Sequence, residues 1–251
     1  MSPISRRALL TAGVAAAGGS VVVDAAALGR RLGLVPPDAA GIYGPGETLT
    51  YATHRLLGRH ALAREFPPEM ISARPFANSV ISRDPAFMEH QAAGFATWRV
   101  EVEGLIAREV SFSLAELRAL PVSHQITELS CEEGWSYIAA WIGTPLAAVL
   151  DIAGVKAEAR YVVYQSHDLD SYDSIDLDEA RHPQTLLAWG MNGHDLAVPF
   201  GGPLRMRVPR QLGYKSTKYI NRLVLTDSLA DWGDGKGSVD ADGGYSWYAG
   251  I

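Results

Sequence analysis

Glu128-Leu129-Ser130-Cys131-Glu132-Glu133-Gly134-Trp135, with Trp141-Ile142-Gly143-Thr144-Pro145-Leu146 shortly after it, is the most informative stretch of this 251-residue chain. Residues 123–130 alternate in polarity, the period of a half-buried strand. Cys131 leaves that strand into a turn of two acids, a glycine and a tryptophan. Turns at strand ends are where sites are commonly built. A thiolate is a soft donor that can anchor a metal whose other ligands come from a cofactor. A buried structural cysteine is the competing reading, because free cysteine is among the most buried residue types. Cys131 is the chain's single cysteine, which excludes an internal disulfide, a CxxC pair and a multi-cysteine zinc site.

Outward from this turn, Trp98, Val100 and Val102 alternate with Arg99, Glu101 and Glu103 and predict a strand closed by Gly104. Ser113 and Glu116 form a capping box for a short helix that stops before Pro121. Thr144 is read as the cap of a second helix, with Pro145 at its first position and its end near Gly154. Residues 161–165 and 186–191 read as strands. Asn192-Gly193 is a tight hairpin turn leading into a further strand at 196–198. Residues 204–208 and 219–226 complete the set, and short strands broken by short helices predict an α+β domain with a mixed sheet.

The flanks read differently. Ser5-Arg6-Arg7, a weakly apolar run over 8–23 and Ala25-Ala26-Ala27 form a twin-arginine export signal over 1–27, which predicts a periplasmic or otherwise exported protein with no membrane span in the mature chain. Residues 28–65 are Gly-, Pro- and Ala-rich without a period and read as an extended arm. The domain proper is placed at 66–251, with its best-defined core at 97–227; prolines at 67, 68, 75 and 85 make 66–95 a wrapping loop. After Asp227 the chain reads as a solvated Asp/Gly tail whose aromatic end, Tyr245, Trp247 and Tyr248, packs back.

A net charge of −6 argues against a general nucleic-acid binder. The charge is unevenly placed, however. No acid falls within 196–226, while Arg205, Arg207, Arg210, Lys215, Lys218 and Arg222 all do, which marks a docking place for an anion. An ordinary solvated basic face is the competing reading and is preferred for Arg210 and Arg222.

The run 98–227 resembles the molybdopterin-binding domain of the sulfite oxidase family, and its cysteine turn resembles that of the bacterial branch containing periplasmic methionine sulfoxide reductases. Matching pieces include Val102-Glu103-Gly104, residues 117–121, the cysteine turn, 141–146, Gly202-Pro203-Leu204-Arg205-Met206-Arg207-Val208-Pro209 and Gly213 through Lys218-Tyr219-Ile220. The resemblance implies molybdenum held by one molybdopterin and by the Cys131 sulfur. It implies cofactor contacts from Asn78, Arg205, Ser216, Thr217 and Lys218, with Ser166 added by position. It places Tyr172 in the substrate pocket and Glu133 beside the metal, where a carboxylate would tune proton transfer. Phe200 stands where the family commonly has His or Asn, and Tyr219 where Trp is common, so one polar cofactor contact is lost or replaced. No C-terminal immunoglobulin-like domain is expected after the core.

The activity so implied is oxo transfer on a small oxyanion or a sulfoxide-type substrate, with electrons exchanged with a separate cytochrome or membrane haem subunit. Two other classes stay open on the residues alone. One is a cysteine hydrolase with Cys131 as nucleophile and His124 or His167 as base; the other is a noncatalytic pterin- or anion-binding module. There is no Gly-rich nucleotide loop, HExxH helix or GxSxG elbow.

Overall fold

The computed structural model describes residues 28–29, 32–78, 81–167 and 171–251, so the export signal read over 1–27 lies outside the described residues. The chain divides into two units, 1–58 and 59–251. In the first, the segment expected to be an extended arm contains the 14-residue helix Gly44–Leu57. Its signals were the permitted ones for a helix start: Pro45 in the first turn, Glu47 beside the positive end of the dipole, and Gly58 at the end. Apolar residues without a clear stripe hid it from a periodicity reading.

In the second unit the strands in chain order are β1 (Arg99–Gly104), β2 (Val110–Ser113), β3 (Ser123–Ser130), β4 (Ser136–Pro145) and β5 (Tyr161–Ser166). They continue with β6 (Tyr172–Asp176), β7 (Leu186–Met191), β8 (His194–Asp195), β9 (Arg205–Arg207) and β10 (Ile220–Thr226). One sheet has the order β2-β1-β10-β5-β6; β1 and β10 run parallel, so this sheet is mixed. The other has the order β3-β4-β7-β8, with β9 also pairing β7, and is antiparallel throughout. Val102, Val162, Leu223 and Leu225 from the first sheet share a core with Leu187, Met206 and the helix Leu146–Ala153. An α+β domain with short helices is therefore the observed architecture.

The strand β3 spans the residues its alternation predicted, and the Ser113–Glu116 capping box is made from both sides. The Asn192-Gly193 turn takes the left-handed conformation at both residues, as the hairpin requires. Four readings are corrected. Thr144 does not cap a helix: it lies within β4, one residue before its end at Pro145, and its hydroxyl donates to the Leu117 carbonyl at 2.8 Å. Residues 196–198 are not a strand, because β8 stops at Asp195 and a 3-10 turn, Val198–Phe200, follows. Pro85 opens a helix, Pro85–Ala92, capped by Asp84, whose Oδ1 accepts from the Phe87 amide at 3.0 Å. Residues 66–72 do lie along the second sheet, the Phe66 amide donating to Ile126 O and the Ser72 amide to Ile138 O.

The Asp/Gly segment after Asp227 is the fourth correction. Ser238 caps a helical turn, Val239–Asp242, and Trp247 is buried with its indole N–H donating to Ser174 Oγ at 2.8 Å. The aromatic end thus packs back as expected, but it carries the acidic residues before it onto the domain. No described helix is long and apolar enough to cross a membrane.

Candidate functional site

Cys131 sits in the turn between β3 and β4, where its amide donates to Trp135 O at 2.8 Å and Gly134 donates back to Cys131 O at 3.0 Å. Its sulfur lies 3.2 Å from Glu132 Oε2 and 3.7 Å from Glu133 Oε2. Burial, joined by the two carboxylates, pushes the thiol up to about 12. A backbone hydrogen bond at Glu133 opposes them only in part. Both effects favour the protonated thiol over the thiolate, and a cation in place of that proton would relieve them.

Beside the turn lies a cleft of about 280 Å3. Asn78, Glu133, Ser166, Arg205, Ser216, Thr217 and Lys218 line it, so the structure brings these predicted residues together. Arg205 is fixed by its own backbone surroundings: Nε donates to Ser216 O at 2.7 Å and Nη1 to Phe200 O at 3.0 Å. Phe200 therefore does contribute a polar contact, through its carbonyl, while its ring packs on Tyr137 with centroids 5.9 Å apart. Lys218 Nζ donates to Asn78 Oδ1 at 2.5 Å and to Pro199 O at 2.8 Å, which ties the wrapping segment to the loop before β10.

Arg207 lies behind this wall, and the sequence reading did not assign it a role. It is fully buried, bonded to the Glu128 carbonyl and, at 3.2 Å, to Thr127 Oγ1. Its Nε and Nη1 have no hydrogen-bond partner. Arg205 and Arg207 both lie over the Trp141 ring, at 5.9 and 5.2 Å from its centroid. Among the described residues neither has a carboxylate partner. Burial, then the charge of Arg205, lowers Arg207 to about 9 and Lys218 to about 8. Buried cations that lack an acid and repel one another are costly unless an anion enters. The lining set, the Arg205 guanidinium and the Lys218 ammonium beside Ser216 and Thr217, with the charge of Arg207 behind them, suits a phosphate group. The residues present therefore fit a molybdopterin: Arg205, Lys218 and hydroxyls line the cleft for its phosphate, and Cys131, itself outside the lining, precedes the lining residues Glu132 and Glu133.

The other cations of the basic stretch are not part of this wall. Arg210, read as solvated, is buried against Glu179 with Nη2 2.8 Å from Oε2. Lys215 is fully buried with Nζ 2.5 Å from Asp173 Oδ1. Arg222 is exposed, as expected, and pairs with Glu103. Tyr172 is not among the residues that line this cleft. Ser171 lines the cleft, but successive side chains of a strand face opposite ways. The Tyr172 hydroxyl accordingly donates to Asp242 Oδ2 at 3.2 Å and its ring packs near Trp232, away from the lining residues. Reading missed Ser82, Tyr214, Tyr219 and Asp240 in the lining; only the alternation of β5 and β6 carried any signal for neighbours of Ser166.

The bases required for a hydrolase are not at the sulfur. His124 is exposed at the opposite end of β3 from Cys131, roughly 20 Å away along an extended strand. His167 packs among Phe87, His90 and Trp98, with Nδ1 3.3 Å from Asp84 Oδ1.

Gly201 holds the cleft's shape. Its φ of +101° suits glycine, and a Cβ there would stand 2.9 Å from Lys218 Cγ. Gly201→Ala is expected to cost about 1–3 kcal/mol and to displace the Lys218 side chain. Thermal denaturation checks the first expectation, and an unchanged midpoint would contradict it.

A cysteine turn beside a cleft lined by cations and hydroxyls suits a pterin-cofactor oxidoreductase of the sulfite oxidase type. The chain belongs to that family: the oxidoreductase molybdopterin binding domain profile matches residues 88–231. It is 38% identical over 195 residues to the putative protein-methionine-sulfoxide reductase subunit YedZ1 of Azospira oryzae, covering 78% of this chain and 70% of that protein. It is 30% identical over 171 residues to the protein-methionine-sulfoxide reductase catalytic subunit MsrP of Ralstonia nicotianae, covering 61% of this chain and 50% of that one. MsrP of Xanthomonas campestris is 34% identical over 154 residues, covering 55% and 48%. The chain thus spans about half the length of these two MsrP proteins. The crystal structure of the sulfane dehydrogenase SoxCD from Paracoccus pantotrophus shares the fold, with a TM-score of 0.51 at 21% identity, covering 67% of this chain and 46% of that chain.

Proposed function

We propose that this oxidoreductase binds molybdenum–molybdopterin with Cys131 as the protein's metal ligand and reduces a sulfoxide-type substrate. The observation that carries the reading is the acid-free pair of Arg205, which lines the cleft beside the Cys131 turn, and Arg207, buried behind it. When bound, the cofactor supplies a centre able to exchange two electrons together with an oxygen atom. Ser216, Thr217 and Lys218 would hold the phosphate end, Arg205 would neutralise it, and Asn78 would orient Lys218. Glu133 Oε2, held 2.6 Å from the Trp135 indole nitrogen, is placed to hold a proton beside the Cys131 sulfur. The net reaction is sulfoxide plus two electrons and two protons to sulfide plus water. The electrons come from a separate electron-transfer protein, a cytochrome or membrane haem subunit. The names of the MsrP and YedZ1 relatives support the reductive direction, and the twin-arginine pattern over 1–27 supports export to the periplasm.

The test is molybdenum analysis of protein from a molybdopterin-competent host, with two assays. Dimethyl sulfoxide is expected to oxidise reduced methyl viologen in the presence of the enzyme. Sulfite-driven reduction of ferricyanide without any sulfoxide turnover would overturn the substrate assignment, and absence of molybdenum from folded protein would overturn the cofactor assignment.

A further inference from the structure

The cleft is lined by charges of both signs. Arg205 and Lys218 line it, and so do three acids, Glu132, Glu133 and Asp240, of which Glu132 lies within electrostatic reach of Asp240. Asp240 comes from the helical turn Val239–Asp242, beyond the residues 88–231 that the family profile matches. Its position is fixed from several sides. Ser238 Oγ accepts from the Ala241 amide at 3.3 Å, and Asp240 O accepts from the Tyr245 amide at 3.0 Å. The Trp247–Ser174 and Tyr172–Asp242 hydrogen bonds anchor the same segment to β6. The cation that acts on Asp240, Lys215, is engaged with Asp173 Oδ1 at 2.5 Å and Ser174 O at 3.1 Å. A rigidly held acid therefore lines the cleft; burial, and then the nearby Glu132, raise its pKa, and Lys215 opposes them.

On the reading of the site given above, a cofactor phosphate takes up the charge of Arg205 and Lys218. The acids are then left as the dominant charges seen by a second, smaller molecule in the cleft. Confined like charges in a partly desolvated cleft repel far more than they do in water. We propose that Asp240, reinforced by Glu132, is a specificity-determining residue that turns dianionic oxyanions away, so that the cleft takes an uncharged sulfoxide in preference to sulfite or sulfate. The two acids act by repulsion against the wrong substrate and require no contact with the right one.

The experiment uses the holoenzyme and its Asp240→Asn and Asp240→Ser variants, with Asp234→Asn as a control. Asp234 is an exposed acid of the same segment that does not line the cleft. Inorganic sulfate is titrated in two readouts at constant low ionic strength: inhibition of dimethyl sulfoxide reduction, with reduced methyl viologen supplying the two electrons, and the sulfate-dependent shift in melting temperature. Removing the Asp240 charge is expected to tighten sulfate binding about tenfold, with the gain shrinking as salt is raised, and Asp234→Asn to change it less than about twofold. Equal sulfate affinity in the wild type and both Asp240 variants, or an equal gain in Asp234→Asn, overturns the proposal. If sulfoxide is not a substrate, viologen oxidation is lost in the wild type too; the melting shifts then still rank the variants, so the two failures are separable.

Discussion

Cys131→Ser is expected to lower bound molybdenum by at least about tenfold and abolish turnover, while the domain stays folded. The sulfur is the soft donor of the cleft, and a neutral hydroxyl is a poor substitute for a thiolate. The structural cost is small because the turn is held by backbone hydrogen bonds between Cys131, Gly134 and Trp135, which serine leaves intact. Metal analysis, the visible spectrum and thermal denaturation of the same preparation check the three parts together. Full metal content and full activity in the variant would contradict the ligand role. A variant that kept its metal but lost activity would instead revive a role for the sulfur in the chemistry itself.

Lys215→Met is expected to destabilise the domain by about 3–5 kcal/mol, because it leaves the fully buried Asp173 without its countercharge. The lysine's carbonyl also accepts from Tyr164 OH at 2.9 Å, so the start of the 216–218 loop is pinned to β5 and β6 at this residue. The loss depends on pH. Burial outweighs the pull of Lys215 and raises Asp173 from 3.8 to about 6. A carboxyl raised on folding binds its proton more tightly when folded, so its contribution is most favourable at low pH and is lost as pH rises from about 3.8 through 6. Removing the ammonium lifts it further, so the variant's deficit should be larger at pH 8 than at pH 5. Denaturant unfolding at the two pH values measures this. An Asp173→Asn/Lys215→Met double variant should regain most of the stability, and a deficit independent of pH would show that packing of the lysine stem dominates.

The cation wall shows what composition can and cannot reveal. The acid-free stretch over 196–226 announced a basic surface, yet its six cations have different fates. Arg205 and Lys218 face the cleft, Arg207 backs it, Arg210 and Lys215 are neutralised by Glu179 and Asp173, and Arg222 is solvated. The partners lie on other strands and helices, and no local pattern names them. Asp240 lines the cleft and Tyr172 does not, for the same reason. The packing of Trp247 against Ser174 brings the C-terminal acids onto the domain, where Asp242 engages the tyrosine and Asp240 enters the cleft lining.

By itself the sequence determined the elements whose period or capping is local. These are β1, β3, β5, β7, β9 and β10, the Ser113–Glu116 helix start, the Asn192-Gly193 turn and the placing of Cys131 at a strand end. It also carried, through ordered motifs, the cofactor family. Tertiary structure alone decided the rest. The central strand β4 is apolar on both faces because it is packed between β3 and β7 with both faces partly covered, which erases the alternation that marks a half-buried strand. The site's second half, from Asn78 to Asp240, is assembled from segments far apart in the chain, and only the closing of two sheets over one core brings their charges within reach of each other.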